Sequence, residues 1–146
     1  MKNTVRFILI ILALSSGFFG CKKSNDSLEI VVKTGKNQYV VNDKIDVSVT
    51  NHLTKQANYF ICDNVGLSPS KFLKYNNGKW TEYYYPAICT AMGPAGFYGV
   101  LNASYTKFDT LTLPSEIGQF KLRYTFIVNN DTLNYDSNEI LINELD

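Results

Sequence analysis

The sequence predicts an all-β domain, an antiparallel β-sandwich of about seven to nine short strands, and three observations predict it. Apolar and polar residues alternate at a period of two, most clearly over residues 44–50 and 118–128. Asn77-Gly78 separates two strand-like runs, and Asn-Gly supplies the two positive φ angles of a type I′ hairpin turn. No stretch places apolar residues at helical spacing, and strand-like runs recur at near-regular intervals over about 120 residues.

The elements follow in chain order. Residues 28–33 form a β-branched run. Tyr39-Val40-Val41-Asn42-Asp43 leads through a turn into the strand whose Ile45, Val47 and Val49 share one face. Residues 57–62 read as a third strand, and 71–76 with 79–83 as the Asn-Gly hairpin. Residues 105–113 alternate again, and Pro114 stops them. The best strand is 118–128, with Phe120, Leu122, Tyr124, Phe126 and Val128 on one face. Asn129-Asn130-Asp131 turns the chain into a return strand, 132–135 and 138–143, with a bulge at Asp136-Ser137. Two sheets should bury the Ile45/Val47/Val49 face against the Phe120/Tyr124/Phe126 face.

The first twenty residues stand apart. Lys2 and Arg6 precede eight consecutive apolar residues, 7–14, which is the layout of an export signal and too short to span a bilayer. Gly20 lies directly before Cys21, and 22–27 are polar. Residues 1–21 resemble a bacterial lipoprotein signal, although Phe18 and Phe19 depart from its usual Leu and small residue. An ordinary secretory signal or an N-terminal anchor is the alternative. The resemblance implies that Cys21 is lipidated with diacylglycerol and a further acyl chain such as palmitate, and becomes the mature N-terminus. Two buried chains hold a protein stably at a membrane where one does not. Lys2 and Arg6 leave with the signal, so 14 basic residues become 12 against 13 acidic, and the net charge of +1 becomes −1. The expected organisation is a signal peptide at 1–20, the lipidated Cys and a short tether at 21–27, and the sandwich at 28–146. The tether reaches at most about 20 Å at ~3.3 Å per residue. Lys22, where an inner-membrane lipoprotein often has Asp, points to the outer membrane by resemblance. The periplasmic and surface sides both stay open.

Of three cysteines, lipidation of Cys21 leaves Cys62 and Cys89, 27 positions apart. In an oxidising envelope a disulfide between them is the default. Closing such a loop contributes roughly 3.5 kcal/mol in the chain-entropy model. The alternative is a reactive or metal-binding thiol, for which the single His52 is too little company.

The mature chain also resembles a bacterial immunoglobulin-like domain over residues 28–143. The residues that carry the likeness are Tyr39-Val40-Val41-Asn42-Asp43-Lys44-Ile45 ending at Asn51, Gly118-Gln119-Phe120-Lys121-Leu122, Ser137-Asn138-Glu139-Ile140 and Asn77-Gly78-Lys79-Trp80. The resemblance implies an immunoglobulin-like antiparallel sandwich. It does not imply an antibody-type domain, because Phe120 and Leu122 stand where that domain has its Tyr and second Cys. A fold of this kind hosts many activities.

Composition excludes several classes. The near-zero charge argues against a nucleic-acid partner. His52 reads as an exposed turn residue, with no Ser-His-Asp set, nucleophile elbow, phosphate loop or His-Glu-x-x-His around it. The acids Asp43, Asp63, Glu82, Asp109, Glu116 and Glu139 fall mostly at strand ends and turns, without a calcium-loop pattern. The expectation is no enzyme, no cofactor and no metal. One segment is unusual: residues 83–101 hold no charge, carry Pro86 and Pro94, and are rich in aromatics. Such a loop either folds over a sheet edge, pinned by Cys89, or presents a binding surface. If it binds, Trp80, Tyr83, Tyr84, Tyr85, Phe97 and Tyr98 are the candidates, for a glycan or a protein. The expected role is a non-enzymatic, membrane-anchored envelope lipoprotein serving as a binding or structural module. A protease-inhibitor-like module using the loop around Cys89 is the alternative, and a small hydrolase a remoter one.

Overall fold

The computed structural model describes residues 29–61, 66–84 and 98–145. Cys21, Cys62, Cys89, Tyr85 and Phe97 lie outside the described residues, and with them the expected signal, lipid site, tether and disulfide.

The strands are β1 (Ile30–Thr34), β2 (Gln38–Val40), β3 (Lys44–Asn51), β4 (Ala57–Phe60), β5 (Lys71–Asn76), β6 (Lys79–Tyr83), β7 (Tyr98–Leu101), β8 (Thr106–Thr112), β9 (Gly118–Val128), β10 (Asp131–Asp136) and β11 (Ile140–Asn143). One sheet has the order β1-β3-β8, and the larger sheet runs β2-β11-β9-β4-β7, with β10 and β5 also on β9 and β6 on β5. The chain changes sheet between β1 and β2, and β2 then runs parallel to β11. This two-sheet arrangement is an immunoglobulin-like sandwich. The parallel pair is the one departure from an all-antiparallel expectation among the described strands.

The eleven strands exceed the expected seven to nine because β2 and β7 form where a turn and a loop were expected and the return strand divides into β10 and β11. β4 and β5 lie end to end along one edge of β9, β4 at Phe126 and Ile127 and β5 at Phe120 to Arg123. β10 and β11 share the opposite edge. Between them, Asp136 faces Arg123 and Ile140 faces Phe120, so three residues oppose two and the chain bulges. Ser137 holds the bulge: its N–H donates to the Leu122 carbonyl at 2.8 Å and its Oγ accepts from the Leu122 N–H at 3.0 Å. The extra residue changes the parity of the inward side chains. Leu133 and Tyr135 pack on the core before it, Ile140 and Ile142 after it.

The two expected faces meet. Ile45, Val47 and Val49 on one side and Phe120, Tyr124 and Phe126 on the other are at most 1% exposed and share one cluster. Full burial of each such side chain contributes about 1.5–3 kcal/mol. All of this cluster lies between Ile30 and Ile142.

At the edge of the smaller sheet, β8 turns Lys107, Asp109 and Leu111 inward and leaves Phe108 75% exposed. Inward charges on an edge strand discourage pairing with another chain. Lys107 Nζ crosses to the Tyr59 hydroxyl at 2.6 Å. Asp109 keeps one carboxylate oxygen, Oδ2, buried without a hydrogen-bond partner, and the buried Tyr124 hydroxyl likewise has none. Burial raises the Asp109 carboxyl above the ordinary carboxylate range, against the opposing pull of the Thr110 N–H and of Lys107.

Candidate functional site

The Asn-Gly hairpin positions the first candidates. Asn77 and Gly78 have φ of 48° and 81°, the type I′ geometry the sequence demands. A two-residue turn fixes the register, pairing Tyr75 with Trp80 and Phe72 with Tyr83. Paired residues share a face, so Trp80 follows Tyr75 outward and Tyr83 follows buried Phe72 inward.

Trp80 is half-buried, with its ring 5.2 Å from that of Tyr75, which is 42% exposed. The Lys121 ammonium sits 4.3 Å from the Trp80 ring centroid and 3.2 Å from Glu139. A cation over an indole face orients the ring at little entropic cost. Farther along the same outer face, Arg123 grips Asp136 with two bonds, 2.6 and 2.8 Å, which raises the guanidinium pKa further. Lys71 pairs with Glu82 at 2.6 Å. The hairpin aromatics therefore border a surface of matched charges.

Tyr83 does different work. Its ring packs edge-on against Phe120 at 5.4 Å. Lys74 lies near both rings and pairs with Glu116. The Lys74 ammonium, with the Tyr83 hydroxyl second, holds the Glu116 carboxyl below the usual carboxylate range. Tyr83 braces the hairpin on the rim of the core. Tyr84 is 72% exposed.

Tyr98 belongs to a second group. It pairs with Phe60 across β4 and β7, their rings 4.9 Å apart. Phe60, Tyr98 and Val100 are 40%, 46% and 48% exposed. Because β4 and β5 meet opposite ends of β9, the two aromatic pairs are about six residues apart along it, or roughly 20 Å at ~3.3 Å per residue. The structure thus places the described candidates in two outer-face patches rather than one loop. Sequence reasoning missed Tyr75 and Phe60. The register of the Asn-Gly turn could have found Tyr75, since it opposes Trp80.

Asn51, which ends the patterned strand, is the fully buried organiser of this end of the fold. Its amide donates to the Lys55, Leu101 and Asn102 carbonyls at 2.8, 3.0 and 3.2 Å, and its Oδ1 accepts from the Leu53 N–H at 2.9 Å. His52 is exposed beside it. Among the described residues no group of three or more His, Cys, Asp or Glu could hold a metal ion.

No protein-family model matches the chain, and no curated protein does. Among solved structures it is similar to the ASH/PapD-like domain of human CEP192 (PapD-like domain 7), at 13% identity and a TM-score of 0.38, over 82% of this chain and 88% of that one.

Proposed function

We propose that the chain is a non-enzymatic lipid-anchored module of the bacterial cell envelope, held at the outer membrane through Cys21, that binds a ligand on the outer face of its larger sheet. The observation that supports the binding role is the pair of exposed aromatic contacts on that face, Tyr75 with Trp80 and Phe60 with Tyr98. Aromatics left on an outer sheet face, as Phe60, Tyr75 and Tyr98 are, mark interaction sites. The basic start, apolar run and Gly20-Cys21 junction support the anchor.

Two measurements test the proposal. Mass spectrometry of the purified chain should find an N-terminal Cys21 bearing acyl chains, and an unmodified Cys21 would remove the anchor. Binding to envelope glycans or proteins should weaken at least tenfold in Trp80→Ala, in Phe60→Ala or in both. Unchanged binding in both variants would remove the outer face as the site.

A further inference from the structure

We infer that a groove at the β4 end of the outer face is a saccharide subsite, whose ligand is a neutral, hydroxyl-rich oligosaccharide running from the groove onto the Phe60–Tyr98 pair. The inference rests on the binding-module reading above and names its ligand class.

The groove has a volume of about 440 Å³ and is lined by Lys55, Gln56, Asn58, Ile127, Asn129 and Asn130. That volume lies within the range of small-molecule sites. Antiparallel pairing brings the start of β4 beside the end of β9, so Asn58 and Ile127 oppose each other directly and form the floor. The turn before β4 supplies Lys55 and Gln56, and the β9–β10 turn supplies the two asparagines.

Both walls are preset. Asn51 ties the Lys55 carbonyl and the Leu53 N–H to a buried amide. Asn129 and Asn130 have φ of 52° and 73°, and Val128 pairs with Asp131 across them in a two-residue hairpin turn. A site held in shape before binding loses less entropy when it is filled.

The lining selects the chemistry. Four of the six residues are carboxamides, each with two N–H donors and a carbonyl acceptor. Sugar hydroxyls donate and accept at the same atom, so amides can meet them in either direction. Ile127 is the single apolar residue of the lining, and an apolar ligand would leave the amides desolvated and unpaired. Among the described residues no carboxylate lines the groove to draw a cation, and Lys55 is the one charge there. Two residues along β4 from Asn58, about 7 Å at ~3.3 Å per residue, the face becomes Phe60 with Tyr98 opposite. Flat aromatic surface there can take the C–H face of a further sugar ring.

The test uses the full chain in detergent micelles against an array of neutral oligosaccharides that includes cellohexaose, chitohexaose and mannohexaose, followed by calorimetry. At least one should bind, and its affinity should fall at least tenfold in the double variant Asn129→Gly/Asn130→Gly and in Asn58→Ala. Glycine keeps the positive φ of the turn, so the double variant should melt with the parent. Saccharide binding that survives both amide variants but is lost with Trp80→Ala overturns the groove and leaves the outer-face reading standing. A protein ligand with no saccharide binding at millimolar concentration does the same. No ligand of either kind overturns both.

Discussion

The ring of Tyr59 fills the space that a side chain at Gly99 would need. The two residues face each other across β4 and β7, and a Cβ at Gly99 would collide with the ring and hydroxyl of Tyr59. Gly99→Ala should therefore destabilise the fold by about 1–3 kcal/mol, the usual cost of overpacking. The displaced ring would also lose its bond from Lys107. Urea unfolding checks this, and Tyr59→Leu in the Gly99→Ala background should recover part of the loss.

Removing the Asn51 amide should be more damaging. Asn51→Ala strips partners from three carbonyls and one N–H at a fully buried position. The expected loss is about 3 kcal/mol. Thermal unfolding checks the loss, and faster hydrogen exchange at Leu53 would locate it.

Asp109 and Glu116 should give opposite acid dependences. Burial raises the folded Asp109 carboxyl above its ordinary 3.8. Its charged form thus costs stability at neutral pH, and the cost is relieved as pH falls through the raised value towards 3.8. Asp109→Asn should raise the unfolding midpoint at pH 7, with the gain shrinking as the medium is acidified. Glu116 is held below its ordinary 4.5 by Lys74 and Tyr83. Its contribution is present above 4.5 and is lost as pH falls through the lowered value, so Glu116→Gln should lower the midpoint slightly at pH 7. Midpoints at pH 7 and at pH 3.5 check both signs.

Ser137→Ala should cost about 1–2 kcal/mol, because the buried Leu122 N–H loses its acceptor. Chemical denaturation measures the cost. Ser137→Thr keeps the hydroxyl and should cost less.

The strand pattern was legible because its physics is local. Alternation at Ile45/Val47/Val49 and Phe120/Tyr124/Phe126 named both buried faces, and Asn77-Gly78 named the hairpin. The same turn already put Tyr83 on the face of Phe72 and Trp80 on that of Tyr75, since a two-residue turn dictates the pairing. The split of the aromatics into two patches was not legible. It depends on β4 and β5 sharing one edge of β9, a contact between residues more than forty positions apart. The groove was hidden for the same reason: its amides come from β4, the turn before it and the β9–β10 turn, distant in sequence, and the turn amides read locally as turn formers.

β9 is the spine on which four other strands separately hang. The β4–β7 ladder and the β5–β6 hairpin both pair with it, and among the described residues only the isolated Ile61–Leu67 bridge lies between them. Each wing should therefore open at a free energy below that of global unfolding and at its own rate. Amide exchange should be slowest along β9 and faster, with separate rates, in the two wings. A ligand seated at one aromatic pair would then slow exchange in its own wing while the other kept its pace, so that the single domain carries two independently addressable surfaces.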